Sequence, residues 1–422
     1  MIRLFARALA LCVLGSVSLL PAAAHASAVL HAQRLTAPGA VGDGFLYESP
    51  AVQGDWIAVF GRLSDNAGDG RVYVFHRQGG VWAFFQEIVP LDGAGSHDAL
   101  AFAGDRLIVG SPGAYDPRMN GGSGAVSIYA LQNGQWVLSE TLYSYNGYMA
   151  GSTDFGAALA VDGSLLYVGF PGYVTPSGLR VGAVEVYDTS VFPTSYIDAI
   201  VSPEAVAEAR FGSSVAASQH NVAVGANNLG FAGIGASVGA IFTYTEFGNR
   251  WTEGPMLMAP NPYAFDQFPV ALAVGGGRII AGDANHNSAS KGGPWGLAFS
   301  YARSVNGFAF EAGLSPADGY QNDRFGDAVA SAGELALIGA PNGGPAGHVY
   351  AFRAVGGDWQ SVSEYVVADL ADGDGFGTTM ASDGATLVVG ASEAGRTPAS
   401  SGAIYAIDNL PTDQIFAEGL EP

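Results

Sequence analysis

The chain has 422 residues, of which 49% are hydrophobic and 13% charged, a composition that excludes a disordered polymer and allows a sizeable core. Its formal net charge of −21 repels nucleic acid and anionic lipid and favours solubility or a cationic partner. Gly is abundant at 61 residues but follows no three-residue period, which excludes a collagen-like chain and points to turn-rich β structure.

The first 26 residues carry Arg3 and Arg7, an apolar run from Ala8 to Leu20, then Pro21 and Ala24-His25-Ala26. That layout predicts a secretory signal cleaved after Ala26, and hence a secreted, periplasmic or cell-surface protein. The apolar run is shorter than the roughly 20 residues of a membrane-spanning helix, and no later stretch is long enough, so no membrane span is expected. Cys12 is the single cysteine and lies in this leader, with Leu11 where a lipoprotein signal needs a small residue. The mature chain then has no disulfide, and its stability has to come from core burial and ring closure.

Seven units follow, aligned on the Gly that ends the second strand of each: Gly61, Gly110, Gly169, Gly225, Gly282, Gly339 and Gly390. Fourteen residues earlier stand Tyr47, Ser96, Phe155, Phe211, Phe268, Phe325 and Phe376. Gly follows four of these Phe residues, and Pro269 follows the fifth. Each unit continues into a third strand of alternating side chains, such as Ala183 to Tyr187 or His348 to Phe352, then a polar turn and a fourth strand often opened by Trp, as at Trp82, Trp136, Trp251 and Trp359. Period-two alternation rich in Val, Ile, Tyr and Phe marks strands. Four strands per unit in seven units predicts an all-β, seven-bladed propeller of antiparallel blades over residues 27–408, with a tail at 409–422. The seventh unit lacks a fourth strand, while residues 29–38 resemble fourth strands such as Gln86 to Pro90. The N-terminal strand is therefore expected to complete the last blade and remove an open sheet edge.

The pairs Phe155-Gly156, Phe211-Gly212, Phe325-Gly326 and Phe376-Gly377, with Gly339-Ala340-Pro341, resemble the FG-GAP repeats of integrin α-subunit propellers and of related secreted bacterial proteins. The resemblance covers roughly residues 28–408 and implies a seven-bladed propeller used for adhesion or ligand binding. Integrin-type repeats often carry a D-x-D-x-D-G calcium loop between the first two strands. Here that connection is a tight turn, as in Val161-Asp162-Gly163-Ser164, and one carboxylate cannot supply the six to eight oxygens calcium takes. The chain thus looks like a calcium-free bacterial variant, and no metal or cofactor is expected.

Antiparallel blades place the connections after strands two and four at one end, and these are the long ones. Loops on a rigid scaffold carry function, so this end is the candidate binding surface. Two clusters stand out on it: Tyr143, Tyr145 and Tyr148, and the group Asp283, Asn285, His286, Asn287, Lys291 and Trp295. Aromatic faces beside amides and carboxylates suit a glycan or protein partner, although the same residues also serve to pack and cap loops. Asp266, Asp323 and Asp374, each two residues before a repeat Phe, either ring a cation or accept backbone N–H bonds that fix the turn; the second is the commoner role. Gly235-Ala236-Ser237-Val238-Gly239 matches a nucleophile-elbow pattern without its strand-turn-helix context, Ser288-Ala289-Ser290-Lys291 has no helix to align its ends, and the histidines show no zinc-ligand spacing. The sequence therefore reads as an exported, monomeric, non-enzymatic propeller binding an extracellular protein or glycan. A polysaccharide-active propeller enzyme and a purely structural surface module are the alternatives.

Overall fold

The computed structural model describes residues 28–29, 32–38, 46–62, 70–90, 99–118, 121–146, 153–288, 293–294, 296–316, 322–391 and 402–410. The alternating segments form seven antiparallel four-stranded sheets, and one sheet gains a fifth, two-residue strand. The first strands are Leu46–Gln53, Leu100–Ala103, Ala158–Asp162, Phe211–Ser218, Ala271–Gly275, Val329–Ala332 and Phe376–Ser382. Each contacts the first strand of the next sheet, and the last returns to the first. The chain is a closed propeller of seven blades, numbered here in chain order.

Closure follows the sequence expectation. Ala32–Leu35 pairs antiparallel with Ala403–Asp408 and serves as the outer strand of blade 7. Just before it, Ala28–Val29 runs parallel to the end of Asp358–Val366, the outer strand of blade 6. The likeness between the N-terminal segment and the strand around Gln86 has a structural basis. Gln86 receives the backbone N–H of Trp136 and donates to its carbonyl, both at 2.8 Å. Gln33 makes the same clasp on Trp82 of blade 1. The first two strands of every blade meet in a tight turn, as expected, for example between Asp162 and Leu165.

Seven hydrophobic clusters form among the described residues, one at each seam between blades. Phe155, Phe211, Phe268, Phe325 and Phe376 are each fully buried in one of them. Burial of such a ring contributes about 1.5–3 kcal/mol, and edge-to-face partners such as Phe352 for Phe325, at 6.0 Å, add to it. The side chains of Tyr47 and Ser96, the two degenerate positions, lie outside the described residues.

Gly at the landmark positions is demanded by contact. A Cβ placed on Gly110, Gly169, Gly282 or Gly339 would overlap the carbonyl oxygen of Gly156, Gly212, Gly326 or Gly377 in the following blade. Those four partners also have φ between +87° and +97°, where a Cβ is strained. In blade 5, Pro269 takes the place of that Gly and lies against Gly225. The repeat Phe binds backward as well: the N–H groups of Phe155, Phe211, Phe268 and Phe376 donate across the seam to Ser123, Val181, Val238 and Ala346.

Two predictions test this frame. Gly339 has no left-handed φ, so chain entropy alone would make Gly339→Ala stabilising by about 0.4–1 kcal/mol; the overlap with Gly377 instead predicts a loss of about 1–3 kcal/mol, read from the urea midpoint. Deleting residues 27–38 exposes the edge of Ala403–Asp408 and removes buried Leu35 and Ala37. It should lower the melting temperature sharply, and an unchanged melting curve would contradict closure by this strand.

Candidate functional site

The long connections carry the two features that depart most from the repeat. In blades 2 and 5 the loop after the second strand folds a small hairpin of its own, Tyr115–Asp116 with Gly121–Gly122 and Asn287–Ser288 with Gly293–Pro294.

The first feature lies over the seam between blades 2 and 3, toward its outer rim. Tyr145 is 58% exposed, and its ring stacks on Tyr196 of the outer strand of blade 3, with centroids 4.2 Å apart and planes 13° from parallel. Asn146 donates to the Tyr196 hydroxyl at 2.9 Å. The loop is held from below by Glu185, a fully buried carboxylate on the third strand of blade 3. It accepts the backbone N–H groups of Tyr145 and Asn146 at 3.0 Å, the Ser144 hydroxyl at 2.7 Å and the Tyr187 hydroxyl at 2.5 Å. Burial, followed by the Glu185 charge, pushes the Tyr187 phenol well above its ordinary range and keeps it protonated as a donor.

Arg118 ties the neighbouring hairpin to the same loop. Its guanidinium lies over the Tyr143 ring at 5.2 Å, donates to the Ser144 carbonyl at 2.9 Å and forks onto buried Asp116. Burial would raise the Asp116 carboxyl, but hydrogen bonds from Arg118, its charge and a bond from Ser123 outweigh burial and hold it below the usual range. Tyr115, 59% exposed, stands beside this pair in sequence. Arg118 thus links the Tyr143 ring to the loop that carries Tyr145, and Tyr148 lies outside the described residues.

The second feature is in blade 5, and here the structure corrects the expectation of an exposed polar group. Asp283 and His286 are buried, with side chains 0% and 7% exposed. Asp283 ends the strand Arg278–Asp283, and the His286 N–H bonds back to its carbonyl, folding the imidazole inward. His286 Nδ1 lies 3.0 Å from Asp283 Oδ2 and 3.8 Å from Asp266 Oδ2. Burial pushes the Asp283 carboxyl up against the pull of His286. Burial opposes protonation of His286, but the bond and charge of Asp283 prevail and raise its pKa. Asn285 remains exposed; Lys291, Trp295 and the side chain of Asn287 lie outside the described residues. No contact joins this group to the tyrosine patch among the described residues.

Asp266 and Asp374 fix their turns, accepting the N–H groups of Tyr263 and Ala371 at 2.7 Å. They offset a strained approach to the repeat Phe, in which Phe265 and Gln267 both have positive φ, as Asn322 and Arg324 do around Asp323.

Arg118, Glu185 and Tyr196 were not singled out by the sequence reading, because they converge from separate hairpins and strands. Glu185 did leave a signal: Tyr73, Phe242, Phe299, Tyr350 and Tyr405 occupy its third-strand position in other blades. A shallow cleft at the short-turn end, between blades 5 and 6, includes Arg278, Glu334 and Trp359 in its lining and is too small to enclose a small molecule. Arg278 there already pairs with Glu311 and Glu334 and lies over the Trp359 ring.

The fold and its seams define a repeat propeller built on buried Phe-Gly pairs and on the Gly of the second strand that meets them. Residues 308–352 and 359–407 match the FG-GAP repeat family, and these two segments lie in blades 5 to 7 of the seven-bladed propeller. No curated protein matches the chain. No helix among the described residues is long and apolar enough to cross a membrane.

The Arg118 pair yields a pH prediction. A carboxyl depressed in the folded state stabilises above its unfolded value, near ~3.9 for Asp, and loses that contribution as pH falls through the lower folded value. Asp116→Asn should lower stability at pH 7 by about 1.5–3 kcal/mol and flatten the loss of stability in acid, measured by urea unfolding at pH 7 and at pH 3.

Proposed function

We propose that this protein is an exported, non-enzymatic recognition module that binds a glycan or protein partner at the Tyr143–Tyr145–Tyr196 patch. The observation that carries the reading is the exposed Tyr145 ring stacked on half-buried Tyr196 and held in place by a buried carboxylate. Exposed apolar rings lose little entropy on binding when the scaffold already fixes them. Here Glu185 takes two backbone bonds and one hydroxyl bond from the loop bearing Tyr145, and Arg118 anchors its other side. A ring face flanked by Asn146 and Arg118 offers stacking together with directed hydrogen bonds, the combination that recognises a sugar or an extended peptide.

A polysaccharide-cleaving role requires two carboxylates facing a substrate. Asp266 and Asp283, two described carboxylates that approach one imidazole, are 2% and 0% exposed, where no sugar ring reaches them. The leader over residues 1–26 supports export, and cleavage after Ala26 leaves Ala28–Val29 to pair with blade 6.

The test is a glycan-array and pull-down screen with the mature protein, whose first residue should be Ser27 by N-terminal sequencing. Tyr145→Ala should weaken a hit by about tenfold or more, with an unchanged melting temperature because the side chain is exposed. Binding that survives Tyr145→Ala and Arg118→Ala would move the site elsewhere, and hydrolysis of any screened polysaccharide would overturn the non-enzymatic reading.

A further inference from the structure

We propose that Asp266, Asp283 and His286 bind one divalent first-row transition-metal ion, with Zn²⁺ the best match, inside the long-loop end of blade 5. Blade 5 departs from its own repeat to build this group. The position of Asp283 is held by Ala226, Ala340 and Ala391 in blades 4, 6 and 7, each fully buried. Replacing Ala there with a carboxylate does nothing for blade packing and places a charged group where water does not reach.

The carboxylate is also incompletely satisfied. Asp283 Oδ2 meets His286 Nδ1, but Asp283 Oδ1 is buried with no hydrogen-bond partner. Such an atom in a 0% exposed residue calls for a ligand, ion or water.

The three residues each offer one donor atom, and these atoms lie within 4.8 Å of one another. Nδ1 is 3.0 and 3.8 Å from the two carboxylate oxygens, bracketing the roughly 3.4 Å edge of a tetrahedron with metal–ligand bonds near 2.0–2.1 Å. The donors are oriented by a further layer of contacts, as metal ligands require. The Tyr263 N–H donates to Asp266 Oδ2, and the imidazole is held edge-on between Tyr263 and Phe299, at 6.0 and 5.8 Å. Two carboxylates and a neutral imidazole carry a charge that a divalent ion cancels. One nitrogen and few oxygens suit a zinc-like ion and not calcium, which takes six to eight oxygens. The group lies at the end of the propeller opposite the tight first turns, so it is separate from the loop position where integrin-type repeats carry calcium.

The test uses chelator-stripped mature protein and titrations with ZnCl₂, MnCl₂ and CaCl₂, followed by calorimetry and thermal melts. Asp283→Ala restores the residue used by three other blades, which protects the fold; far-UV circular dichroism checks it, and His286→Ala serves as a second variant. The expected result is one Zn²⁺ per chain, a melting temperature raised by roughly 5 °C or more at saturation, and at least a hundredfold weaker binding in both variants. Absence of saturable Zn²⁺ binding to the wild type would overturn the proposal and leave a buried His–Asp ion pair. Unchanged affinity in folded Asp283→Ala would place the ion elsewhere, and calcium binding as tight as zinc would refute the ion class.

Discussion

Neighbouring blades touch backbone to backbone, and that contact sets the terms for the rest of the chain. The Gly ending the second strand of one blade meets the carbonyl of the Gly after the repeat Phe in the next, as Gly339 meets Gly377. No side chain fits between them. The approach brings the Phe far enough into the seam to be fully buried, and lets its N–H pair with the preceding blade. A methyl group there would separate two sheets along their length, because close-packed interiors do not absorb added volume locally. The spacing of Phe, Gly and the second Gly is therefore a packing rule, kept in full at four seams.

A chain of such units has two ends, and each would be an open sheet with unpaired backbone groups. The ring removes both by making the last blade from two distant parts of the sequence. Ala32–Leu35 contributes its outer strand, and Leu35 and Ala37 join the hydrophobic cluster between blades 7 and 1. Arg77 of blade 1 adds a bond to Asp408 of blade 7, and the Trp82 indole donates to the same carboxylate. The clasp of Gln33 on Trp82 repeats that of Gln86 on Trp136, so the closing seam uses the same chemistry as an ordinary one.

This regularity is why the fold was legible in the sequence while the sites were less so. Seven copies of a spacing fix strand order, face and closure, since each position has one physical task. Tyr145 was legible as an exposed aromatic in a long loop. Its partner Tyr196 was not, because nothing in a strand of the next blade announces which loop will fold onto it. Asp283 and His286 are legible as loop residues but not as buried ones, because a loop residue reads as exposed until the turn that folds it inward is seen. Asp266 was read as a turn-fixing residue, which it is, and its approach to His286 depends on two loops 20 residues apart meeting over blade 5.

Departures from the repeat carry the information that the repeat itself does not. Glu185 stands where five other blades have an aromatic and Asp283 where three have an alanine, and both bury a carboxylate at a seam. Their surroundings separate the two cases. Glu185 is saturated, with both oxygens receiving hydrogen bonds from the loop above, so its cost is offset within the protein and its effect is to hold Tyr145 outward. Asp283 has one oxygen engaged by His286 and the other without a partner. A buried charge left half-satisfied persists where something outside the chain completes it. Where three other blades place a buried alanine at this position, a carboxylate oxygen left without a partner is the feature of blade 5 that packing does not explain.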